Sequence, residues 1–217
     1  MKSKLTLELL KSAARKFAEQ ESGYHEEDLF GVTDGKAVGT YLEHKFQAYL
    51  HEKYDYQKGS SAKGIDFPEL DVDMKVTSVK QPQSSCPFKS ARQKVYGLGY
   101  NLLVFVYEKR DNSLTKTGNL KIHHTIFVEK ERTADYQTST GIIEILNNSG
   151  NKDDLLAFFE ERRLPVDELV ASSLSDELLK KMPEVGYLTI SNALQWRLQY
   201  RRVIEHAGSV PGIVRVK

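Results

Sequence analysis

Apolar residues return every three to four positions through Leu5, Leu9, Leu10, Ala13, Ala14, Phe17 and Ala18, so the spacing predicts an amphipathic helix over about residues 4–21. An acidic, glycine-bearing loop follows, and Val38, Leu42, Phe46, Tyr49 and Leu50 then predict a second helix that ends before the polar run QKGSSAKG. The period changes next. IDF reads as a short strand, Pro68 begins a turn, and VDMKVT alternates, with Val72, Met74 and Val76 on one face and Asp73, Lys75 and Thr77 on the other. A proline-bearing loop leads to a short helix around residues 90–96. NLLVFVYE, nearly all apolar, suits a central strand covered on both faces; KRDNS predicts a turn and KIHHTIFVEKE a further strand. As strand neighbours, His123 and His124 are expected on opposite faces, unable to chelate one metal together.

Beyond about residue 137 the pattern predicts four short helices, STGIIEILNN, DDLLAFFEERR, PVDELVASSL and SDELLKKM, with Ser139, Asp153 and Ser175 as N-caps and Pro165 near an N-terminus. SNALQWRLQYRRVIEHA predicts a longer helix that packs Ala193, Leu194, Trp196, Leu198 and Val203 inward, and GIVRVK an edge strand. The order is helix, helix, mixed sheet, helices. We therefore expect an α/β (α+β) fold in which residues 1–135 hold the sheet and residues 136–217 form a mainly helical C-terminal subdomain.

Composition narrows the function. Within 217 residues no run of about 18 apolar positions occurs and no secretory leader is evident, so the expectation is a cytoplasmic protein without a membrane partner. The single cysteine, Cys86, excludes an intramolecular disulfide and a multi-thiolate zinc site. Net charge is only +1, but the charges are unevenly spread. Residues 75–100 carry Lys75, Lys80, Lys89, Arg92 and Lys94 with no acidic residue, and residues 195–217 carry Arg197, Arg201, Arg202, Arg215 and Lys217 against Glu205 alone. Two such stretches in a near-neutral chain fit a polyanion-binding face as well as ordinary solvated surface.

Charge also interrupts the apolar hairpin GIDFPELDVDMKVT. Acid-x-Lys occurs three times, as Asp34-Gly35-Lys36, Glu43-His44-Lys45 and Asp73-Met74-Lys75. Positions two apart diverge by about 200° on a helix and point the same way on a strand, so only Asp73 and Lys75 are expected to converge. A hairpin closed at residues 68–71 lays Asp66 beside them. Two carboxylates so close repel, hold a proton or recruit a cation, and such an oxygen-rich site suits Mg²⁺, with the Met74 carbonyl as a further donor. A cation of this kind polarises a phosphodiester and acidifies a water, while Lys75 orients that water or offsets phosphoryl charge. A solvated hairpin with an incidental ion pair is the alternative.

Asp66, Asp73, Met74 and Lys75 at this spacing resemble the active-site hairpin of the PD-(D/E)xK nuclease superfamily. More narrowly, KGIDFPELDVDMKVTS resembles the D-F-x-x-L-x-V-E-L-K-T hairpin of MutH and related type II restriction enzymes, with Asp66-Phe67, Leu70, Val72 and Lys75 in register. Asp73 stands where those relatives usually have Glu, and Ile65 rather than Pro precedes Asp66. The resemblance covers about residues 36–108. It implies a restriction-endonuclease-like core and a Mg²⁺-dependent double-strand endonuclease, with Mn²⁺ able to substitute. Asp66, Asp73 and Lys75 would be catalytic, joined by Glu43 from the upstream helix and Lys94 downstream, and Asp66, Asp73, Glu43 and the Met74 carbonyl would hold the metal. Lys80, Lys89, Arg92, Arg197, Arg201 and Arg202 are the candidate DNA contacts, with Gln195 and Gln199 as base readers. Cutting both strands implies a homodimer on a palindromic site without a nucleotide cofactor. A MutH-like strand nickase and a catalytically silent DNA-binding module are the competing expectations.

Overall fold

The computed structural model describes residues 2–59, 64–85, 89–191 and 196–217. A short strand β1 (Ser3–Lys4) precedes α1 (Leu7–Glu21), which Thr6 caps by accepting a hydrogen bond from Leu9 N. Asp34 caps α2 (Gly35–Lys53) in the same way, accepting from Lys36 N and Ala37 N. Each such cap is worth about 1 kcal/mol. Asp34 is thereby committed to the helix end. Next come β2 (Tyr54–Asp55), which pairs in parallel with β1, then β3 (Val72–Ser78) and β4 (Gln83–Ser85). The remaining elements are α3 (Arg92–Tyr96), β5 (Asn101–Asn112), β6 (Thr117–Val128), α4 (Tyr136–Asn147), α5 (Lys152–Glu161), α6 (Glu168–Leu178), β7 (Thr189–Ser191), β8 (Arg197–Gln199), α7 (Arg201–His206) and β9 (Ile213–Arg215).

The chain forms two compact units. The first comprises Met1–Ser84, Asn101–Val128 and Ile204–Lys217. Its mixed sheet has the order β3-β5-β6-β9; β3 and β5 run parallel and the other neighbours antiparallel. The expected edge strand near the C-terminus is therefore present as β9. Helices α1 and α2 bury one face of this sheet. Phe17 lies 5.0 Å from Phe46 between ring centroids, and Phe46 lies 5.2 Å from Phe105 on β5. Burying side chains of this size contributes roughly 1.5–3 kcal/mol each, enough to seat α2 firmly on the sheet. Leu102, Val104 and Val106 on the opposite face of β5 are fully buried too, as its continuous apolar run predicts.

The second unit comprises Ser85–Tyr100 and Glu129–Val203. Ala91 and Val95 beside and within α3 pack with Ile142 of α4, Leu155 and Phe159 of α5, and Leu174 and Leu178 of α6. Asp135 anchors this unit. One carboxylate oxygen caps α4 through Thr138 N and Thr138 Oγ1, and the other accepts from Ile190 N at 2.8 Å.

Several expected boundaries shift, each for a local reason. The caps of the three later helices are Asp135, Asn151 and Asp167, not Ser139, Asp153 and Ser175. Ser139 and Ser175 lie inside their helices and donate to the carbonyls of Asp135 and Ala171 four residues back. PVDELVASSL and SDELLKKM belong to one helix, α6. The hairpin strands β5 and β6 extend through KRDNS as far as Asn112, and the turn falls on residues 113–116. IDF is not a strand; only Phe67 pairs, with Val72. SNALQWRLQYRRVIEHA is not one helix but β7, β8 and the short α7, with residues 192–195 outside the described part. Ala193, Leu194, Gln195 and Cys86 lie outside the described residues.

Candidate active site

The site is built on the first unit, where β3 forms one edge of the sheet. Phe67 and Val72 exchange main-chain hydrogen bonds of 2.9 and 3.2 Å, closing a hairpin whose tip is a 3₁₀ turn at Pro68–Leu70. Asp71 adopts a left-handed conformation (φ 52°, ψ 44°), which a short polar side chain tolerates. Asn101 fixes this tip to β5 by donating from both its main chain and its side chain to the Asp71 carbonyl.

A second strand would normally donate and accept along the free edge of β3. Here the carboxylate of Asp66 takes that place, its Oδ2 accepting from Met74 N at 2.8 Å. This explains why IDF forms no ladder, and it holds Asp66 against the strand that carries Asp73 and Lys75. Both main-chain groups of a strand residue face the same edge, so the Met74 carbonyl is turned toward Asp66 as well. Asp73 is buried, only 3% exposed, with its Oδ2 2.7 Å from Lys75 Nζ. Desolvation pushes the Asp73 carboxyl up to about 6; Lys75 opposes the shift and a hydrogen bond with Asp66 adds to it. Asp73 and Lys75 thus meet as their alternation predicts, whereas Asp66 reaches them through its carboxylate on Met74 N and not from a paired strand.

Glu43 joins them from α2. Burial pushes its carboxyl up to about 7, Asp66 and Asp73 push the same way, and Lys75 opposes. Lys45, two residues on, turns aside to Glu21, Glu26 and Tyr41, as expected on a helix. Gly39 is not required for the approach of α2 to β3, because a Cβ there would meet Val76 Cβ at an ordinary 3.9 Å.

Sequence reasoning missed what positions the entry to this hairpin. Tyr56 stacks on His51 at 4.5 Å, packs against Phe67 at 5.6 Å and donates to the Gln47 carbonyl, tying the hairpin to α2. Gly59 N donates to the Asp66 carbonyl, and a Cβ at Gly59 would lie 1.9 Å from the Ile65 carbonyl oxygen, so this approach needs glycine.

Three carboxylates and one ammonium form a cluster of oxygen donors in which burial first, and the neighbouring carboxylates second, hold Asp73 and Glu43 above the usual carboxyl range. The donor set fits a hard divalent cation of the Mg²⁺ type. Among the described residues no three His, Cys, Asp or Glu side chains close a metal cage by themselves.

A sequence model described as Type II restriction enzyme NspV matches residues 4–215. The chain belongs to the type II restriction enzyme NspV family. The Type II restriction enzyme NspV of Nostoc sp. (strain ATCC 29411 / PCC 7524) is 61% identical over 212 residues, covering 98% of this chain and 96% of the relative. No solved structure matches the chain. The NspV family match thus spans the hairpin, α2 and both compact units.

The remaining candidates are placed as follows. Lys94 belongs to the second unit, on α3, 7% exposed, with its ammonium 5.8 Å from the Trp196 ring; burial lowers its pKa and Asp135 opposes. Arg92, also on α3, is held in a two-pronged pair by Glu177, at 2.5 and 2.7 Å. Lys80 and Lys89 are exposed. Arg197 lies on β8 rather than on a helix, and Gln199 is exposed on the same strand. Arg201 begins α7, and the Arg202 guanidinium covers the Tyr136 ring at 3.8 Å. His123 and His124 do not alternate simply, because a bulge between Val106 and Tyr107 leaves His123 without a partner in the ladder; its Nε2 lies 3.1 Å from Glu108. No helix among the described residues is long and apolar enough to cross a membrane.

The raised carboxyls give this NspV family member a pH signature. Without metal, folded Asp73 and Glu43 keep protons that the unfolded chain has already released, so they make stability fall as pH climbs through about 6 and about 7. Thermal unfolding in EDTA is expected to give a lower Tm at pH 8 than at pH 5.5, and the double variant Asp73→Asn, Glu43→Gln to flatten the difference. Millimolar Mg²⁺ is expected to raise the Tm of the unsubstituted protein most at pH 8, where both groups ionise. An unchanged slope in the double variant would show that these carboxyls are not the groups titrating.

Proposed function

We propose that this chain cleaves duplex DNA at the Asp66, Asp73 and Lys75 hairpin by the metal-dependent hydrolysis typical of PD-(D/E)xK nucleases. As a member of a type II restriction enzyme family it is a sequence-specific DNA endonuclease. The observation that carries the reading of the site is the pairing of Asp66 with Met74 N beside the buried Asp73 and Lys75 pair. Asp66, Asp73 and the Met74 carbonyl are the ligands we assign to Mg²⁺ or Mn²⁺, with Glu43 completing the acidic wall. Such an ion supplies Lewis acidity at the scissile phosphate and lowers the pKa of the attacking water.

The protein groups then have separate tasks. Asp66 is held in place by the hydrogen bond it accepts from Met74 N, so its other oxygen is already oriented. Lys75 opposes the protonation of buried Asp73 and places a positive charge where charge develops on the phosphoryl oxygens. Glu43, buried beside Asp66 and Asp73, adds a third carboxyl to the wall that faces the cation. Lys94, on α3 of the second unit, is the further basic residue that the resemblance implies. Lys80, Lys89, Arg197, Arg201 and Arg202 supply phosphate contacts, and Arg92 joins them if Glu177 releases it. A homodimer on a palindromic site would bring one hairpin to each strand.

The test is incubation of the purified chain with unmethylated phage DNA in Mg²⁺, Mn²⁺ or EDTA, with sequencing of the ends. Discrete fragments with uniform ends are expected in the metals alone. Equal cutting in EDTA would overturn the metal assignment, and one-strand nicks at every site would overturn the dimer.

A further inference from the structure

β3 does not end in a loose connection. Its ladder with β5 runs one residue further, Val79 N donating to the Tyr107 carbonyl at 2.8 Å, and Ser78 and Gln81 close an antiparallel bridge. Thr77, 3% exposed, sits beneath this turn. Its hydroxyl accepts from Gln83 N at 2.8 Å and shares its proton between the carbonyls of Gln83 at 3.1 Å and Gln81 at 3.3 Å. Ser78 Oγ accepts from Lys80 N, and Pro82 fixes one further backbone angle.

The backbone is therefore held from below while the side chains at its tip are left unengaged. Lys80 and Gln81 are exposed, and among the described residues neither side chain has an ion pair or hydrogen bond. No acidic residue occurs from Lys75 to Tyr100 to oppose an anion there. Thr77 follows Lys75 on the same face of the same strand. At roughly 3.3 Å per residue, the tip lies on the order of 10–15 Å beyond Lys75. That equals about three to four steps of duplex DNA at 3.4 Å each.

We propose that residues 79–83 form a preorganised DNA-contacting tip that flanks the scissile phosphate. Lys80 engages a phosphate and the Gln81 amide a base edge, adenine being the base whose paired donor and acceptor an amide matches. Thr77 is a positioning residue that holds the tip in its bound shape before DNA arrives, which removes an ordering cost from binding. The inference rests on the nuclease reading above and adds to it the element that reads sequence beside the cut.

Four variants test it: Lys80→Ala, Gln81→Ala, Thr77→Val and Thr77→Ser. DNA affinity is measured in Ca²⁺ at several salt concentrations, and single-turnover cleavage in Mg²⁺ on the cognate site and on every single-base variant of it. Lys80→Ala is expected to weaken binding of all sequences alike and reduce the salt slope by about one. Gln81→Ala is expected to cut discrimination about tenfold at one base pair per half-site and to leave the others unchanged. Thr77→Val is expected to raise KM about tenfold at similar single-turnover kcat, with Thr77→Ser restoring it; a merely structural hydroxyl would lower Tm without this split. Wild-type affinity, salt slope and discrimination in both Lys80→Ala and Gln81→Ala, with the unsubstituted enzyme cutting normally, would overturn the tip alone. An unsubstituted chain that neither binds nor cuts DNA would overturn the nuclease reading and the tip with it.

Discussion

Lys75→Ala is expected to lower single-turnover cleavage by about a thousandfold or more while the protein still binds DNA. Two effects act together. Removing one group that stabilises developing charge typically costs about 10²–10³ in rate. The second effect comes from Asp73, which is almost fully buried and has the Lys75 ammonium 2.7 Å away. Without that ammonium, burial and Asp66 act on the Asp73 carboxyl unopposed, so it holds its proton to higher pH and serves a cation less well.

The two effects separate by pH. If Asp73 protonation contributes, the residual rate of Lys75→Ala climbs as pH is raised above neutrality, whereas the unsubstituted enzyme gains less over the same interval. Lys75→Arg keeps the charge but exchanges a compact ammonium for a planar fork, and is expected to recover only part of the loss. Asp66→Ala is expected to be as damaging, since it removes an oxygen donor and also frees Met74 N at the edge of β3. Any of these variants cutting within tenfold of the unsubstituted protein in single-turnover assays would place the chemistry elsewhere.

That the hairpin could be found in the sequence follows from its locality. Asp66, Asp73 and Lys75 fall within ten residues, and strand alternation decides that Asp73 and Lys75 share a face. Periodicity only separates Glu43 from Lys45; Glu43 entered through the resemblance, which implies an acidic residue on the upstream helix. The failures came where two periods overlap. In QWRLQYRR the alternation of Trp196, Leu198 and Tyr200 is a strand pattern, and Leu198 and Tyr200 are fully buried on β8 and just after it. The same residues also satisfy a helical spacing when neighbouring leucine and valine are counted, so the segment read as one helix. Caps failed for a similar reason. A serine can cap a helix or donate back into it: Ser139 does the second because Asp135 already serves the first turn, and Ser175 because it lies two turns inside α6. What no local pattern could supply was the pairing of Lys45 with Glu26 and Glu21, which lie 19 and 24 residues away.

Lys45→Ala is expected to be the most destabilising single change in the first unit outside the apolar core. Lys45 Nζ lies 2.9 Å from Glu21, 2.5 Å from Glu26 and 2.8 Å from the Tyr41 hydroxyl, and Glu21 is 1% exposed. Burial holds the Glu21 carboxyl above its usual range even with the ammonium present. Removing one partner of a buried pair costs about 3–5 kcal/mol. Because Lys45 keeps 29% of its side-chain surface in solvent, about 2–4 kcal/mol is the reasonable range here. In the variant Glu21 escapes part of the penalty by taking a proton, so the loss in Tm should be smaller at pH 5.5 than at pH 8. A carboxyl whose folded pKa is raised loses stability as pH rises through that value. Lys45→Met with Glu21→Gln removes the orphaned charge and should recover much of the loss, since replacing both members of a buried pair is far milder than breaking it. If Lys45→Ala alone unfolds within a degree of the unsubstituted chain at pH 8, the pair is screened by solvent and does not help fix α2 against α1. Glu43 would then depend on apolar packing alone for its place beside Asp66 and Asp73.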